Sequence, residues 1–112
     1  MSFIPHKVKI GYQDVAVEFV TRLTDDEGHS LCGVFIGSEM KITICSMIQG
    51  PRLVDTFLHE CIHAMFYLYG WCATEEHDEE SVAHCVGFGL AMLLQDNPGL
   101  GAVFDDILKV NH

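Results

Sequence analysis

Apolar and polar positions alternate in the first half of the chain, and in the second half the apolar positions recur at helical spacing. The segments KVKIGYQDVAVEFV and KITIC carry the period-two alternation of half-buried strands. We therefore predict short strands at Lys7–Ile10 and at residues 15–20 around a turn at 11–14, followed by strands in LCGVFIG and KITIC. The first half of the chain is expected to form a small sheet.

Three helices are predicted after position 50. The first covers Pro51–Tyr69, because proline suits the first helical position and Gly70 suits the stop. The apolar positions of this helix are Leu53, Phe57, Leu58, Cys61, Ile62, Met65 and Tyr69. The second is capped by Thr74, has acidic residues in its first turns, and runs to about Leu94 before the segment NPG. A short last helix lies in GAVFDDILKV.

The order of these elements predicts an α+β protein. A small, mainly N-terminal sheet would pack against two long helices, with a short helix at the C-terminus. A chain of 112 residues is long enough to bury one core and too short to divide comfortably into two. We therefore expect a single domain over residues 1–112.

Composition and charge exclude several classes of function. The formal charge of −10 and the absence of a basic stripe argue against nucleic acid as a direct ligand. No apolar run is long enough to span a bilayer, and the N-terminus lacks the apolar region of a signal peptide. The five cysteines have no C-x-x-C spacing, which indicates free thiols. We expect a cytoplasmic protein without membrane contact.

The segment TFLHECIH contains His59, Glu60 and His63 in the spacing H-E-x-x-H. Residues four apart share one face of a helix, so the two imidazoles can bind one metal ion. Glu60 is rotated away from that ion and can hold and deprotonate a water molecule. Composition predicts only roughly 0.03 chance occurrences of this pattern. The alternative is a packed helix with polar residues at its edge, which would be costly without a partner for them.

A hydrolytic zinc site takes three protein ligands and leaves a position for water, so a third ligand must come from elsewhere. The candidates lie in the segment EEHDEESVAHC, and they are Glu76, His77, Glu79, Glu80 and His84. Acidic residues at a helix N-terminus are also favoured by the helix dipole alone, so most of them are expected to be solvated. Nitrogen and oxygen ligands suit several divalent ions, and zinc is the one we predict.

HECIH followed by EESVAH resembles a gluzincin, the class of zinc metallopeptidase in which a downstream glutamate completes the site. Together with GVFIG, KITIC and GLAMLLQDNP, it is similar to the compact ImmA/IrrE-like or SprT-like metallopeptidases of phages and bacteria. The resemblance covers most of the chain. It implies a minimal zincin-like fold and a cytoplasmic location, which would be the host cytoplasm for a phage protein.

The resemblance also selects a third ligand. In this class the glutamate ligand opens a pattern of the form E-x-x-A-N, which on this chain starts at Glu80 and places Ala83 at the small position. Starting at Glu79 would put Ala83 where the polar residue belongs. The resemblance therefore implies Glu80 as the ligand. His84 stands where the class has Asn or Asp, and it would orient a ligand or bind the metal in place of Glu80.

The activity implied by the resemblance is hydrolysis of peptide bonds. His59 and His63 would hold zinc, which would make a water molecule more acidic, and Glu60 would take the proton of that water and pass it to the leaving amine. Tyr67, Tyr69 or His77 could steady the oxyanion. Because so small a chain can build few subsites, we expect limited or regulatory cleavage of a specific protein. The cleft could be completed by a partner or by a second copy in a homodimer.

A different class of function stays open beside this one. The chain could be a zincin-like metal-binding protein that turns over little substrate and acts by binding a partner.

Cys61, inside the motif, is predicted to be a packed core thiol, because it shares a face with Phe57 and Met65. Trp71 is predicted to fill the turn between the two long helices.

Overall fold

The computed structural model describes residues 3–71 and 79–109, and these ranges contain four strands, three α-helices and one short 3-10 helix at Gly37–Glu39. In chain order the elements are β1 (Lys7–Ile10), β2 (Gln13–Val20), β3 (Gly33–Ile36), β4 (Lys41–Cys45), α1 (Pro51–Tyr69), α2 (Glu79–Asp96) and α3 (Leu100–Lys109). The predicted α+β class, with strands before helices, is confirmed.

The four strands of the described ranges form one sheet in the order β1-β2-β4-β3. β1 and β2 are antiparallel, and Ile10 pairs with Gln13. The turn between them is therefore shorter than predicted, and β2 begins two residues earlier. β2 pairs with β4 in parallel, whereas β3 and β4 are antiparallel. Since only β4 lies beside it, β3 is an edge strand.

The core lies between one face of the sheet and one face of α1. The buried apolar residues of β1, β2 and β4 recur at every second position, and they are Val8, Ile10, Val15, Val17, Ile42 and Ile44. Helix α1 contributes Phe57, Cys61, Ala64 and Met65. Burial of this apolar surface is the main favourable contribution to folding. Cys61 is fully buried, as predicted, and burial raises the pKa of its thiol.

Helix α1 has the predicted boundaries, Pro51–Tyr69. It ends because Gly70 adopts a left-handed conformation, with φ of 72°, and donates its backbone N–H to the carbonyl of Phe66. Trp71 then stacks on Tyr69 with 5.1 Å between ring centroids, and it meets Phe66 edge-on. The indole therefore packs on the end of α1, and the rest of the turn that it was predicted to fill lies outside the described residues.

The two later helices, α2 and α3, each pack against α1 at a different position. α2 approaches at Gly89, where a Cβ atom would lie 2.5 Å from the sulfur of Met65. α3 places Phe104 against Phe57, with ring centroids 5.9 Å apart. The described part of α2 starts at Glu79, so the predicted cap at Thr74 lies outside the described residues. None of the helices in the described ranges is long and apolar enough to cross a membrane.

The side chain of Asn97 joins the end of α2 to the free edge of β1. Its Oδ1 accepts the backbone N–H of Lys9, and its Nδ2 donates to the carbonyl of Lys9, both at 2.8 Å. The same Nδ2 also donates to the carbonyl of Leu93 at 2.8 Å. The amide thus pairs with Lys9 as a neighbouring strand would, and it satisfies a carbonyl near the end of α2.

Replacing Asn97 by alanine should lower the free energy of unfolding by about 1–2 kcal/mol, because three hydrogen bonds are lost at a partly exposed position. Urea unfolding of the purified variant measures this change. Gln95→Ala, an exposed substitution in the same turn of α2, is the control and should stay within about 0.5 kcal/mol of the wild type. Equal stability of the two variants would show that the Asn97 amide does not hold α2 to the sheet.

Candidate metal centre

The two histidines of the motif lie together on α1. The Nε2 atoms of His59 and His63 are 3.2 Å apart, and their rings meet edge-on. Two nitrogens bound to tetrahedral zinc at about 2.0–2.1 Å would be separated by about 3.3 Å. The observed distance therefore fits two ligands of one zinc ion. It also fits a hydrogen bond in which one neutral ring donates its Nε2–H to the other.

Glu60 is buried between α1 and the sheet, and the residue is only 6% exposed. Burial raises the pKa of its carboxyl group, and the nearby His59 and His63 act in the opposite direction. The backbone N–H of Phe35 in β3 donates a hydrogen bond to the carboxylate, which also lowers the pKa. The carboxylate is thus held at the edge strand, beside the two imidazoles.

The absence of a side chain at Gly33 allows α1 to approach β3 this closely. A Cβ atom at Gly33 would lie 2.8 Å from Cγ2 of Thr56 and 3.1 Å from Cγ of Glu60. Both distances are shorter than ordinary van der Waals contacts. A glycine at this position of the strand is therefore required for the observed place of Glu60.

The free edge of β3 faces the cleft above α1. The backbone N–H of Cys45 donates to the carbonyl of Cys32 at 2.8 Å, so this pair is hydrogen-bonded across the two strands. In an antiparallel ladder, residues alternate between bonding to the neighbour and pointing away from it. Gly33 and Phe35 therefore direct their backbone groups away from β4, and the Phe35 N–H reaches Glu60 in this direction.

A cavity of about 520 Å³ lies beside these backbone groups. It is lined by Leu31, Gly33, Val34, Phe35, Gly37, His59, Glu60, His63, Phe66 and Tyr67. Apolar and aromatic side chains make up most of its wall, and the polar groups come together at the H-E-x-x-H motif. This composition is typical of a ligand site, in which a few polar groups fix the orientation of a bound molecule.

The described ranges do not bring a third metal ligand to the two histidines, since they contain no group of three or more His, Cys, Asp or Glu side chains that could hold a metal. Glu79 and Glu80 are exposed in the first turn of α2, and His84 is also exposed. Glu80 precedes Gly89, where α2 meets α1, by nine residues, which is roughly 13 Å along a helix. The Glu80 ligand stays a prediction.

Two other predicted candidates, Glu76 and His77, lie outside the described residues. Tyr67 lines the cavity, is 56% exposed and meets Phe35 edge-on. Its ring thus lines the same cavity as the motif. Tyr69 instead packs against Trp71 and the backbone of Gly11, so of the two tyrosines only Tyr67 lines the cavity.

Sequence reasoning did not identify the contribution of β3 to the site. Gly33 and Phe35 act through an absent side chain and a backbone N–H, and neither gives a signal in a single sequence. Asp55 lines a second cavity beside His59. Because Asp55 lies one turn before the motif on α1, the sequence could have indicated that it is near the site.

No family model, curated protein or solved structure matches this chain.

Replacing Gly33 by alanine should lower the free energy of unfolding by about 1–3 kcal/mol, because the new methyl group overlaps Thr56 and Glu60. Thermal or urea unfolding measures the loss. Gly87→Ala on α2 is the matched control, since a Cβ atom there has nothing within 4 Å. That change should stabilise the protein by up to about 1 kcal/mol. A Gly33→Ala variant as stable as Gly87→Ala would contradict the close approach of α1 to β3.

Proposed function

We propose that this protein is a zinc-dependent metallopeptidase that cleaves peptide bonds in a specific protein substrate. The observation that carries the proposal is the placement of three groups at one point of a cleft. The two Nε2 atoms of His59 and His63 are 3.2 Å apart, and the buried carboxylate of Glu60 lies next to them. This arrangement supplies two metal ligands and a base beside the free edge of a strand.

In this proposal His59 and His63 hold the ion, and Glu80 is the third ligand. Zinc at this position would supply a Lewis acid that polarises a carbonyl group and makes water more acidic. Glu60 accepts the proton of the attacking water on a carboxylate oxygen and delivers it to the nitrogen of the leaving amine. Tyr67, which lines the cavity, would donate a hydrogen bond to the substrate carbonyl oxygen.

The edge of β3 favours an extended peptide as the substrate. Gly33 and Phe35 present backbone groups to the cleft, and the main chain of a peptide can pair with such groups as an additional strand. A peptide bound in this way passes over the motif on α1, which lies below the same edge. Binding through the backbone therefore brings a peptide bond to the groups that would cleave it.

The form of the cleft supports limited cleavage over general digestion. The described cavity is bounded by one strand and one helix, so it has few walls from which to build subsites. A partner protein or a second copy in a homodimer would extend it. We place the activity in the cytoplasm, or in the host cytoplasm for a phage protein, on the basis of the resemblance and the free cysteines.

A second candidate is a zincin-like protein that binds zinc and a partner without turnover. The absence of a third ligand near His59 and His63 within the described ranges favours it. Zinc would then serve to connect α1 to other parts of the chain, and its binding free energy would stabilise the fold. The role of Glu60 separates the two candidates, because only the peptidase needs its carboxylate as a base.

Glu60→Gln should abolish peptide cleavage and leave zinc binding and the fold intact. The amide has the shape of the carboxylate but cannot accept the proton, and loss of a general base lowers kcat by roughly a hundredfold to ten-thousandfold. The change can be measured with zinc-loaded protein and a mixture of unstructured polypeptides whose cleavage products are resolved by mass spectrometry. The bound zinc is counted in the same samples.

Glu39→Gln is the control for this experiment, since Glu39 is an exposed carboxylate that pairs with Lys41 and lines neither cavity at the motif. It should cleave as the wild type does. A zinc-loaded wild type that cleaves nothing, or a Glu60→Gln variant that cleaves at the wild-type rate, would exclude the peptidase proposal.

A further inference from the structure

The strand that borders the cleft, β3, directs its side chains alternately toward α1 and away from it. A Cβ atom at Gly33 would meet side chains of α1, and one at Gly37 would lie 2.7 Å from Cε2 of Tyr67. Phe35, between these two glycines, meets the ring of Tyr67 edge-on, with 5.7 Å between the centroids. Positions 33, 35 and 37 therefore face α1, and the residues between them point to the opposite face of the sheet.

A peptide paired with the free edge of β3 follows the same alternation. Residues directly opposite each other in neighbouring strands project to the same face of a sheet, and successive residues project to opposite faces. The peptide residue opposite Phe35 therefore points toward α1, as Phe35 does. The residues immediately before and after it point to the opposite face, away from the cavity. Of these three consecutive residues, only the middle one places its side chain in the cleft.

The wall that this side chain meets is apolar and aromatic. Phe35 and Tyr67 form it together, and Leu31 and Phe66 line the same cavity of about 520 Å³. Tyr67 is 56% exposed, so much of its surface is in contact with water in the free protein. An apolar side chain placed on this ring removes apolar surface from water on both partners. An aromatic or large aliphatic side chain is the complement of this wall.

The backbone of Phe35 determines which hydrogen bond holds the peptide at this point. Its N–H is donated to the carboxylate of Glu60, and its carbonyl points in the same direction, toward the free edge. A peptide can therefore pair through an N–H of its own that is donated to this carbonyl. In antiparallel pairing, which is the more stable arrangement, that N–H belongs to the residue directly opposite Phe35. The residue whose side chain meets Tyr67 is thus also the residue whose backbone binds β3.

We propose that the cleft recognises an extended peptide by a single aromatic or large aliphatic residue, which lies opposite Phe35 and packs on the ring of Tyr67, and that it does not select the residues on either side. This inference rests on the proposed peptidase function and defines its substrate class. Tyr67 determines specificity through its ring, whereas its hydroxyl group belongs to the proposed chemistry of cleavage.

Peptide binding to the zinc-loaded Glu60→Gln variant tests this recognition without turnover. Three labelled peptides share one sequence of alanine and serine, and they carry Phe, Leu or Ala at the central position. The Phe and Leu peptides should bind about tenfold more tightly than the Ala peptide in fluorescence anisotropy, as expected for partial burial of a large apolar side chain. Equal binding of the three peptides would overturn this inference and leave the peptidase proposal in place.

Substitutions of Tyr67 separate the contribution of its ring from that of its hydroxyl group. Tyr67→Ala, added to Glu60→Gln, should remove most of the preference for the Phe peptide over the Ala peptide, whereas Tyr67→Phe should keep it. Tyr12→Ala is the matched control and should also keep it, since Tyr12 is a 78% exposed tyrosine that does not line the cavity. A preference that survives Tyr67→Ala in a protein folded by circular dichroism would contradict binding on this ring.

Methylated peptides test the pairing with β3 and require no change in the protein. A methyl group on the backbone nitrogen of the central Phe removes the N–H that is donated to Phe35, so binding should weaken by about tenfold. The same methyl group on the nitrogen of the next residue, which points away from β3, should have little effect. Equal weakening by the two methyl groups would overturn the placement opposite Phe35.

Cleavage by the zinc-loaded wild type provides a second readout. When the bonds cleaved in a mixture of unstructured polypeptides are aligned, aromatic and large aliphatic residues should be enriched at one position. The positions directly before and after it should show no enrichment. Enrichment at two adjacent positions, or at none, would contradict the alternation. Absence of all cleavage would instead exclude the peptidase proposal, and the binding measurements would then decide whether the cleft recognises the apolar residue.

Discussion

The close approach of α1 to the edge strand β3 is the contact on which the rest of the site depends. It occurs at Gly33, where even a methyl group would overlap Thr56 and Glu60. This approach buries the carboxylate of Glu60 against the backbone N–H of Phe35 and leaves the two imidazoles in the cleft. The hydrophobic core beneath, with Phe57 and Cys61 on the opposite face of α1, fixes the helix in that position. Burial of apolar residues on one face of α1 thus orients the polar groups of the other.

Several parts of this arrangement could be predicted from the sequence because local rules determine them. The boundaries of α1 follow from proline at its start and glycine at its end, and the pairing of His59 with His63 follows from helical geometry. The alternation in KITIC predicted β4. The course of β3 beside α1 could not be predicted, because it depends on long-range pairing and on an absent side chain at Gly33. The bridge from Asn97 to Lys9, 88 positions apart in the chain, was not predictable for the same reason.

The third ligand marks the limit of prediction at the site itself. The motif on α1 is a local pattern, whereas the proposed ligand Glu80 would have to be brought to it by the way α2 packs. In the described ranges α2 contacts α1 at Gly89 and Met65, and Glu80 is exposed in its first turn. The two imidazoles and the Glu60 carboxylate are therefore arranged by α1 and β3 alone. In the proposed metal site, the third ligand would come from residues that follow α1 in the chain.

Zinc binding by the metal-free protein, measured by isothermal titration calorimetry, tests the central claim most directly. The account predicts one high-affinity zinc per chain in the wild type and its loss in His59→Ala, with folding of both proteins checked by circular dichroism. Glu80→Ala should weaken binding, and Glu79→Ala should bind as the wild type does. A folded wild type that binds no zinc, or a His59→Ala variant that binds it equally well, would contradict the account and leave the contact between His59 and His63 as a hydrogen bond on a packed helix.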